Sequence, residues 1–417
     1  MSTAEPPFSW RAIALPALLP TLLFSIGEGA IIPIIPLVAS NLGASLAIAG
    51  LVAALLMIGE LVGNIPSGWL VARIGERPAM IGAAALSVVG LVICLIAPHP
   101  VALAFGVLLV GLSAAVFALA RHAFLTSFVP LAYRARALST LGGVFRLGYF
   151  VGPFITAAVI QLTGVVAFAF WIHVIACLAT ALVLVTLPDP TTTFGSVRTV
   201  RLAGRELREG EALVEQESSG LFRTLVARRD VLTRLGLGAA LVGALRASRQ
   251  VILPLWAVSI GVGDADAALV IGIAGGVDFA LFYLSGSIMD RFGRLWTAVP
   301  SMVGLGIGHL ALALTHDLST NVQWFIAAAM ILALANGLGS GILMTLGADL
   351  ADPANPAPFL GAWRFTGGLG GAAAPLLLSA ITAAASLAVG AGALGVLGFV
   401  GAGVLARYVP RYLPRQR

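Results

Sequence analysis

The stretch Gly286-Ser-Ile-Met-Asp-Arg-Phe-Gly-Arg294 decides the fold of this 417-residue chain, because a related stretch lies 218 positions earlier (286 minus 68). There the chain reads Gly68-Trp-Leu-Val-Ala-Arg-Ile-Gly-Glu-Arg77. At this offset the alignment needs no gap from Glu28 to Arg77, and it places Pro33–Leu37 on Val251–Leu255. A repeat of half the chain predicts two homologous halves. In membrane proteins the substrate path usually runs between such repeats.

The composition indicates an integral membrane protein. Hydrophobic residues make up 59% of the chain and charged residues 10%, and the mean hydropathy is +1.02. A soluble domain carries about 25% charged residues. Apolar stretches of roughly 20 residues have the length of a helix that crosses a bilayer, and the absence of period-two alternation argues against membrane strands. No cleavable signal peptide is predicted after the polar start Met1–Arg11, because the following apolar stretch is too long for one.

Twelve transmembrane helices are predicted, six in each repeat. Their positions are about 13–38, 46–71, 79–97, 101–128, 138–160, 165–187, 232–259, 266–289, 296–315, 323–348, 359–382 and 386–406. The predicted fold is therefore an all-α membrane protein of two six-helix bundles. Residues 1–190 are predicted to form the N-terminal bundle, 191–231 a cytoplasmic linker loop and 232–417 the C-terminal bundle. The linker is expected to be solvated, with one surface helix near Arg205–Glu217.

The distribution of arginine predicts the orientation. All 24 basic residues are arginine. Nineteen lie at the N-terminus, in the C-terminal tail, or in and next to the loops after spans 2, 4, 6 and 8, whereas the loops after the odd-numbered spans contain none. The positive-inside rule then places both termini and the linker in the cytoplasm. The expected location is the inner membrane of a bacterium, and the net charge of +6 is attributed to topology and lipid headgroups rather than to nucleic acid.

Eight charged residues lie well inside the predicted spans, more than two residues from either end. A charge at the bilayer centre costs about 2.5–3.5 kcal/mol on insertion scales, so each is expected to face a partner or a water-filled cavity. Two readings remain open: ion pairs that only lock helices together, and a central site for substrate or protons. Three positions recur at the repeat offset, where Glu28 aligns with Arg246, Glu60 with Asp278 and Arg146 with Arg364. The eight residues are Glu28, Glu60, Arg121, Arg146, Arg246, Arg249, Asp278 and Arg364.

The glycine and charge signature after span 2 of each repeat resembles that of the major facilitator superfamily of transporters. The second copy consists of Gly286, Asp290, Arg291, Gly293 and Arg294, and the first of Gly68, Arg73, Gly75 and Arg77, with Ala72 where the family has an acid. The resemblance extends over essentially the whole chain. It implies a gate, in which the glycines allow close helix approach and a tight turn, and the charged residues latch that turn to neighbouring helix ends.

Span 5 contains a narrower resemblance. Gly148, Gly152 and Pro153 are similar to the Gly-x-x-x-Gly-Pro stretch of the drug/proton antiporter branch. That spacing gives a flat helix face for close packing, and proline bends the helix. The paired glycines that usually follow are absent. Val107 stands where the branch carries an arginine in span 4, and Arg121 lies fourteen residues further on.

The resemblance implies a secondary transporter, and the residues leave its cargo open. Buried acids can carry protons, which favours proton-coupled efflux of a hydrophobic or amphipathic compound. Arginines bind carboxylate or phosphate with two hydrogen bonds, which favours an organic-anion transporter working in either direction. A lipid-flipping or non-transporting receptor is a remote alternative. Trp363 is expected to line the cavity, and Asn336 to serve helix packing. The expected partners are a small molecule, protons and membrane lipid, for a monomer without cofactor, metal, catalytic residue or nucleic acid.

Overall fold

The computed structural model describes residues 14–129, 131–187, 199–202, 204–218, 220–352 and 355–413. The polar N-terminus and the last residues of the basic tail lie outside these ranges. The described residues contain twelve helices that are long and apolar enough to cross a membrane. They are span 1 (Leu15–Asn41), 2 (Leu46–Ile74), 3 (Glu76–Leu95), 4 (Pro100–Phe128), 5 (Arg136–Thr163), 6 (Val166–Thr186), 7 (Arg229–Ser259), 8 (Asp264–Phe292), 9 (Leu295–Thr315), 10 (Asn321–Leu350), 11 (Ala357–Ala384) and 12 (Leu387–Tyr412).

The predicted all-α fold of twelve spans is confirmed, and every predicted span overlaps an observed helix. Span 12 continues to Tyr412 rather than ending near residue 406. Arg407 and Arg411 extend this helix instead of forming a loop. Both arginine side chains are exposed, so the helix can continue from the apolar part of the membrane into its polar interface. In span 5 the helix begins earlier than the apolar segment, at Leu131.

Two spans are broken at the level of the central cavity. Span 1 passes from an α-helix, Leu19–Ile31, through a 3₁₀ turn, Ile32–Ile34, into a second helix, Ile35–Asn41. Pro33 and Pro36 lack the N–H that a regular helix needs, which explains the break. Span 10 is interrupted between Leu338 and Ile342, where Gly341 has a φ of +81°. Such breaks leave backbone carbonyls available to side chains.

Glycines set the packing of span 5 on span 1. A Cβ at Gly148 would lie 2.5 Å from the Cβ of Ser25, and one at Gly152 would lie 2.5 Å from the backbone nitrogen of Ala30. The predicted flat face of the Gly-x-x-x-Gly-Pro stretch is therefore the contact between these two helices. Pro153 lies within the helix and lines the central cavity.

The described linker is an ordered substructure and not a solvated loop. Strand β1 (Thr199–Leu202) pairs antiparallel with β2 (Arg205–Arg208). Two helices follow, Glu209–Ser218, here termed the linker helix, and Leu221–Ala227. The predicted surface helix near Arg205–Glu217 was therefore wrong in its start and its environment. The linker helix packs on spans 2, 4 and 11, and it buries two of its acidic side chains, Glu211 and Glu217.

The two halves meet differently on the two sides of the molecule. On the side opposite the linker, the Ser379 hydroxyl of span 11 donates to the carbonyl of Ala47 in span 2 at 2.5 Å. A Cβ at Gly50 would lie 3.8 Å from that of Ser379. On the side where the linker lies, here the linker side, a cavity separates spans of the two halves. This conformation is closed opposite the linker and wider towards it.

Candidate functional site

A central cavity of about 370 Å³ lies between the halves. Spans 1, 2, 4 and 5 provide one wall, and spans 7, 8 and 10 provide the other. Seven of the nine predicted substrate or coupling residues line it: Glu28, Glu60, Arg121, Arg146, Arg246, Arg249 and Asp278. Residues selected only because a charge inside a span is costly are thus brought together at one place.

Asp278 of span 8 is the centre of a hydrogen-bonded network that joins the halves. Its carboxylate accepts from Arg146 of span 5 at 3.2 Å and from Arg249 of span 7 at 3.3 Å. The Asn336 amide of span 10 donates to it at 2.7 Å. The guanidinium of Arg146 also lies 4.9 Å from the ring centre of Phe282. One carboxylate is therefore shared by two arginines and an amide.

Arg246 forms no ion pair with an acidic side chain among the described residues, although Asp278 acts on it electrostatically. Its guanidinium donates to the carbonyl of Gly339, which is exposed by the break in span 10. Its Nε is buried without a hydrogen-bond partner, as is that of Arg249. A guanidinium carries five N–H donors in a planar arrangement suited to a carboxylate or phosphate. The C-terminal wall thus carries a guanidinium that no carboxylate of the described residues pairs with.

The N-terminal wall carries an acidic cluster. Glu28 of span 1 and Glu60 of span 2 both interact electrostatically with Arg121 of span 4. Tyr149 of span 5 interacts with Glu28 through its hydroxyl. The guanidinium of Arg121 lies 4.7 Å from the ring centre of Phe145. Two carboxyl groups share one arginine here, the reverse of the ratio on the opposite wall.

A second cavity, also about 370 Å³, adjoins the first on the linker side. The two share Asn64, Ala118, Arg121 and Phe145 among their lining residues. Arg364 of span 11 lines this second cavity rather than the central one, and it forms an ion pair with Glu217 of the linker helix. The predicted substrate residue Arg364 is thus separated from the other seven.

Trp363 does not have the predicted position. The side chain is 2% exposed, and its Nε1–H donates to the carbonyl of Leu343 at 2.8 Å. It lines neither of the two cavities. Adjacent residues on a helix point about 100° apart, so its neighbour Arg364 faces the cavity while Trp363 packs inside the C-terminal half.

Several uncharged polar residues of the cavity were not predicted. Asn64, Tyr149 and Gln250 line it, and Asn336 contacts Asp278 instead of serving only helix packing. Tyr149 follows Arg146 by three residues and therefore lies on the same helix face, which is a signal that the sequence contained. Asn64 follows Glu60 by four residues in the same way.

The predicted gating residues lie at the linker-side ends of the spans. Gly75 and Gly293 have φ values of +89° and +96°, which confirms the tight turns. Arg77 donates to the carbonyls of Leu184 and Leu187 at the end of span 6. Arg294 pairs with Asp349 of span 10 at 2.8 Å and with Asp290 at 4.0 Å. These contacts stay within one half.

The two remaining arginines of the gating signature have surface positions. The guanidinium of Arg73 lies over the Trp69 ring, and that of Arg291 over the Phe292 ring, at 5.2 and 5.3 Å. Gly286 has no atom within 4 Å of the place where a Cβ would stand. In this conformation no described helix packs on Gly286, and the close helix approach stays a prediction. Gly68 is buried in span 2.

Comparison with known proteins identifies the family. A model of the Major Facilitator Superfamily matches residues 17–375 and, in a second match, residues 235–417. This chain belongs to the Major Facilitator Superfamily. The fold of a superfamily member agrees: a crystal structure of a D-xylose-proton symporter has a TM-score of 0.74 and 15% identity, and the match covers 97% of this chain and 99% of that one.

Two sequence relatives within the superfamily are more limited matches. The probable inositol transporter 2 of Arabidopsis thaliana is 25% identical over 181 residues, which is 43% of this chain and 29% of that protein. An uncharacterized MFS-type transporter of Mycobacterium tuberculosis is 28% identical over 155 residues, which is 37% of this chain and 22% of that protein. The chain thus matches less than a third of either relative's length.

Proposed function

We propose that this member of the superfamily is a proton-coupled secondary transporter of a small organic anion. The observation that carries this proposal is the charge ratio around Asp278, where the two walls of the central cavity meet. Arg146 of the N-terminal wall and Arg249 of the C-terminal wall share this carboxylate, and Arg246 forms no ion pair among the described residues. An incoming carboxylate or phosphate would supply the missing negative charge.

Proton coupling is proposed for the acidic cluster on the facing wall. Glu28 and Glu60 share Arg121, so one proton more or less changes the net charge of the cluster between neutral and negative. Glu28 lies in the last turn of the first helix of span 1, directly before the 3₁₀ break at Ile32–Ile34. At such a break the helix geometry can change. A change of charge beside an anion site couples the two occupancies, because like charges repel across the cavity.

Efflux of a hydrophobic or amphipathic compound is the second candidate. It is favoured by the span 5 stretch, since Gly148 and Gly152 do form the packing face that the antiporter resemblance implies. The mixed lining also includes Phe24, Phe117 and Phe145. The guanidinium charge of Arg246, which no ion pair neutralises among the described residues, argues for the anion, because a hydrophobic cargo would leave that charge unbalanced in an enclosed site.

The proposed mechanism is alternating access of the two halves, residues 1–190 and 232–417, about the central cavity. The described conformation is closed on the side opposite the linker. We propose that the linker side is cytoplasmic, on the distribution of arginine, and that the protein resides as a monomer in a bacterial inner membrane. The gate signature would then act when the linker side closes, by exchanging contacts within a half for contacts between halves.

A ligand-stabilisation screen of the purified protein tests the anion proposal. The panel contains monocarboxylates, dicarboxylates, organic phosphates and hydrophobic cations, together with D-xylose and inositol, which the names of the relatives suggest. A ligand at one hundred times its dissociation constant stabilises the folded state by roughly 2.7 kcal/mol. We expect anions alone to raise the melting temperature, and Arg246→Gln to reduce the rise strongly. Arg407→Gln, at an exposed position, is the matched control.

Two results of the ligand screen would contradict the anion proposal. Stabilisation by hydrophobic cations that survives Arg246→Gln and disappears in Glu28→Gln would replace the anion proposal with the efflux candidate. Stabilisation by D-xylose or inositol alone would contradict both, and would assign a neutral polyol to the cavity.

A further inference from the structure

The linker helix presents a carboxylate to the linker-side cavity. Glu217 and Val214 of the linker helix line that cavity together with Arg364 and His122. The Glu217 side chain is 6% exposed and pairs with the guanidinium of Arg364, whose side chain is 45% exposed. The arginine thus holds a buried carboxylate on one side and remains open to the cavity on the other.

The other end of the linker helix is fixed to the N-terminal half. The guanidinium of Arg134 donates to both oxygens of Glu209, at 2.9 and 3.0 Å. Arg208 pairs with Glu76 at 2.7 Å, and the backbone N–H of Gly210 donates to the Ser127 hydroxyl at 3.1 Å. The linker helix is therefore attached to spans 3, 4 and 5 and bridges to span 11 at its far end.

The contact with span 11 depends on Glu217 and on one glycine. A Cβ at Gly361 would lie 2.1 Å from the carbonyl oxygen of Glu217. Gly361 precedes Arg364 by three residues, so the two lie on the same face of span 11. The backbone of the linker helix reaches Arg364 only because this position has no side chain.

Arg364 lies between the linker-side entrance and the central cavity. The two cavities adjoin through Asn64, Arg121 and Phe145, so a solute that enters from the linker side passes Arg364 before it reaches Arg246. Arg364 is also the repeat counterpart of Arg146 (364 minus 146 is 218). The two halves thus each contribute an arginine at the same repeat position, one to each cavity.

We propose that Arg364 is a second anion-binding site and that Glu217 is a tethered carboxylate which occupies it until a free anion takes its place. The ligand class is a small carboxylate or phosphate, which a guanidinium binds through two parallel hydrogen bonds. Displacement of Glu217 detaches the linker helix from the C-terminal half. That detachment is required before the spans around the linker-side cavity can come together. The inference rests on the proposed function in one respect: it takes the anion that displaces Glu217 to be the transported substrate.

Hydrogen exchange of the linker helix in the full-length protein tests displacement, with succinate as the probe. Succinate should accelerate exchange of amides 209–218 in a saturable way, and sodium chloride at equal ionic strength should not. Glu217→Gln and Gly361→Ala should each accelerate exchange roughly tenfold without succinate. The first removes the carboxylate and the second removes the contact without changing any charge. Glu206→Gln, an exposed carboxylate of β2, is the control and should exchange as the wild type does.

Calorimetric titration with succinate tests occupancy, in an Arg246→Gln background that removes the central site. There Glu217→Gln and Gly361→Ala should bind succinate several-fold more tightly, because the competitor is gone, and Arg364→Gln should abolish binding. Unchanged or weaker binding in both of the first two variants would overturn the inference, as would an equal effect of sodium chloride on exchange. If these results are as expected but Arg246→Gln transports normally, the proposed function fails and the second site stands.

Discussion

Asp278 is the residue on which the central site most depends. Asp278→Asn would leave Arg146 and Arg249 without their shared carboxylate. Breaking a buried ion pair typically costs about 3–5 kcal/mol. The side chains here keep 11–22% exposure, so we expect a loss at the low end, roughly 2–3 kcal/mol. Thermal unfolding in detergent measures it.

The matched control for this prediction is Asp317→Asn. Asp317 also has a charged-residue partner, His316, but its side chain is 97% exposed, so its loss should leave the melting temperature unchanged. Equal melting temperatures for Asp278→Asn and the wild type would show that the network contributes nothing to stability.

The sequence predicted the charged lining of the central cavity well and its uncharged polar lining poorly. Glu28, Asp278 and Arg246 stand out because a charge inside an apolar span is costly and must have a partner or a cavity. Asn64 and Tyr149 cost far less to insert, so nothing in the hydropathy distinguished them from packing residues. Their spacing from Glu60 and Arg146, by four and three residues, was the signal that could have identified them.

Among the elements, the contact between spans 1 and 5 is the one most sensitive to side-chain size. Gly148→Ala and Gly152→Ala each place a methyl group against the backbone or Cβ of span 1. Overpacking typically costs about 1–3 kcal/mol, so we expect a clear fall in melting temperature for each. Gly82→Ala in span 3 is the control, because nothing lies within 4 Å of its Cβ position. A fall of the same size in the control would remove the packing explanation.

The linker helix should dock in a pH-dependent manner. Burial raises the pKa of the Glu211 carboxyl from 4.5 to about 7, and the carboxylate of Glu76 adds to the rise. The backbone N–H of Arg208, 2.9 Å away, and the Arg208 guanidinium oppose it. These groups, from span 3 and β2, are the ones that act on Glu211. The docked carboxyl thus holds its proton more tightly than the free one.

The sign of the pH effect follows by linkage. The contribution of Glu211 to docking is greatest below pH 4.5, weakens as the pH rises towards 7, and changes little above that. We expect exchange of amides 209–218, corrected for intrinsic rates, to be roughly tenfold faster or more at pH 8 than at pH 5. Glu211→Gln should flatten this profile. A flat profile in the wild type would show that Glu211 does not titrate on docking.

The linker also shows where element-level prediction fails. Its polar composition indicated a solvated segment. The residue pattern within Glu209–Ser218 does not predict that this helix packs on spans 2, 4 and 11. The docking depends on pairs distant in sequence, such as Glu217 with Arg364 and Glu209 with Arg134. The spans, in contrast, were predictable because the bilayer fixes both their length and their composition.

At the scale of the whole molecule, the described conformation should be one state of a cycle. Gly50→Cys with Ser379→Cys would place the two Cβ atoms near 3.8 Å, within the 3.5–4.5 Å that a disulfide needs. Oxidation should lock the side opposite the linker in its closed form and stop transport. Reduction should restore transport, and each single cysteine variant should be insensitive to oxidant. Full transport by the cross-linked protein would contradict alternating access about this contact.

The central claim is that the cavity carries an organic anion together with protons, with Arg246 as the anion-binding residue and Glu28 in the proton-binding cluster. Proton movement in proteoliposomes, followed with a pH-sensitive dye after addition of the most stabilising anion, tests it most directly. We predict anion-dependent proton movement in the wild type and in Arg407→Gln, and none in Arg246→Gln or Glu28→Gln. Undiminished proton movement in Arg246→Gln, or movement in the wild type driven by a hydrophobic cation instead, would contradict the account.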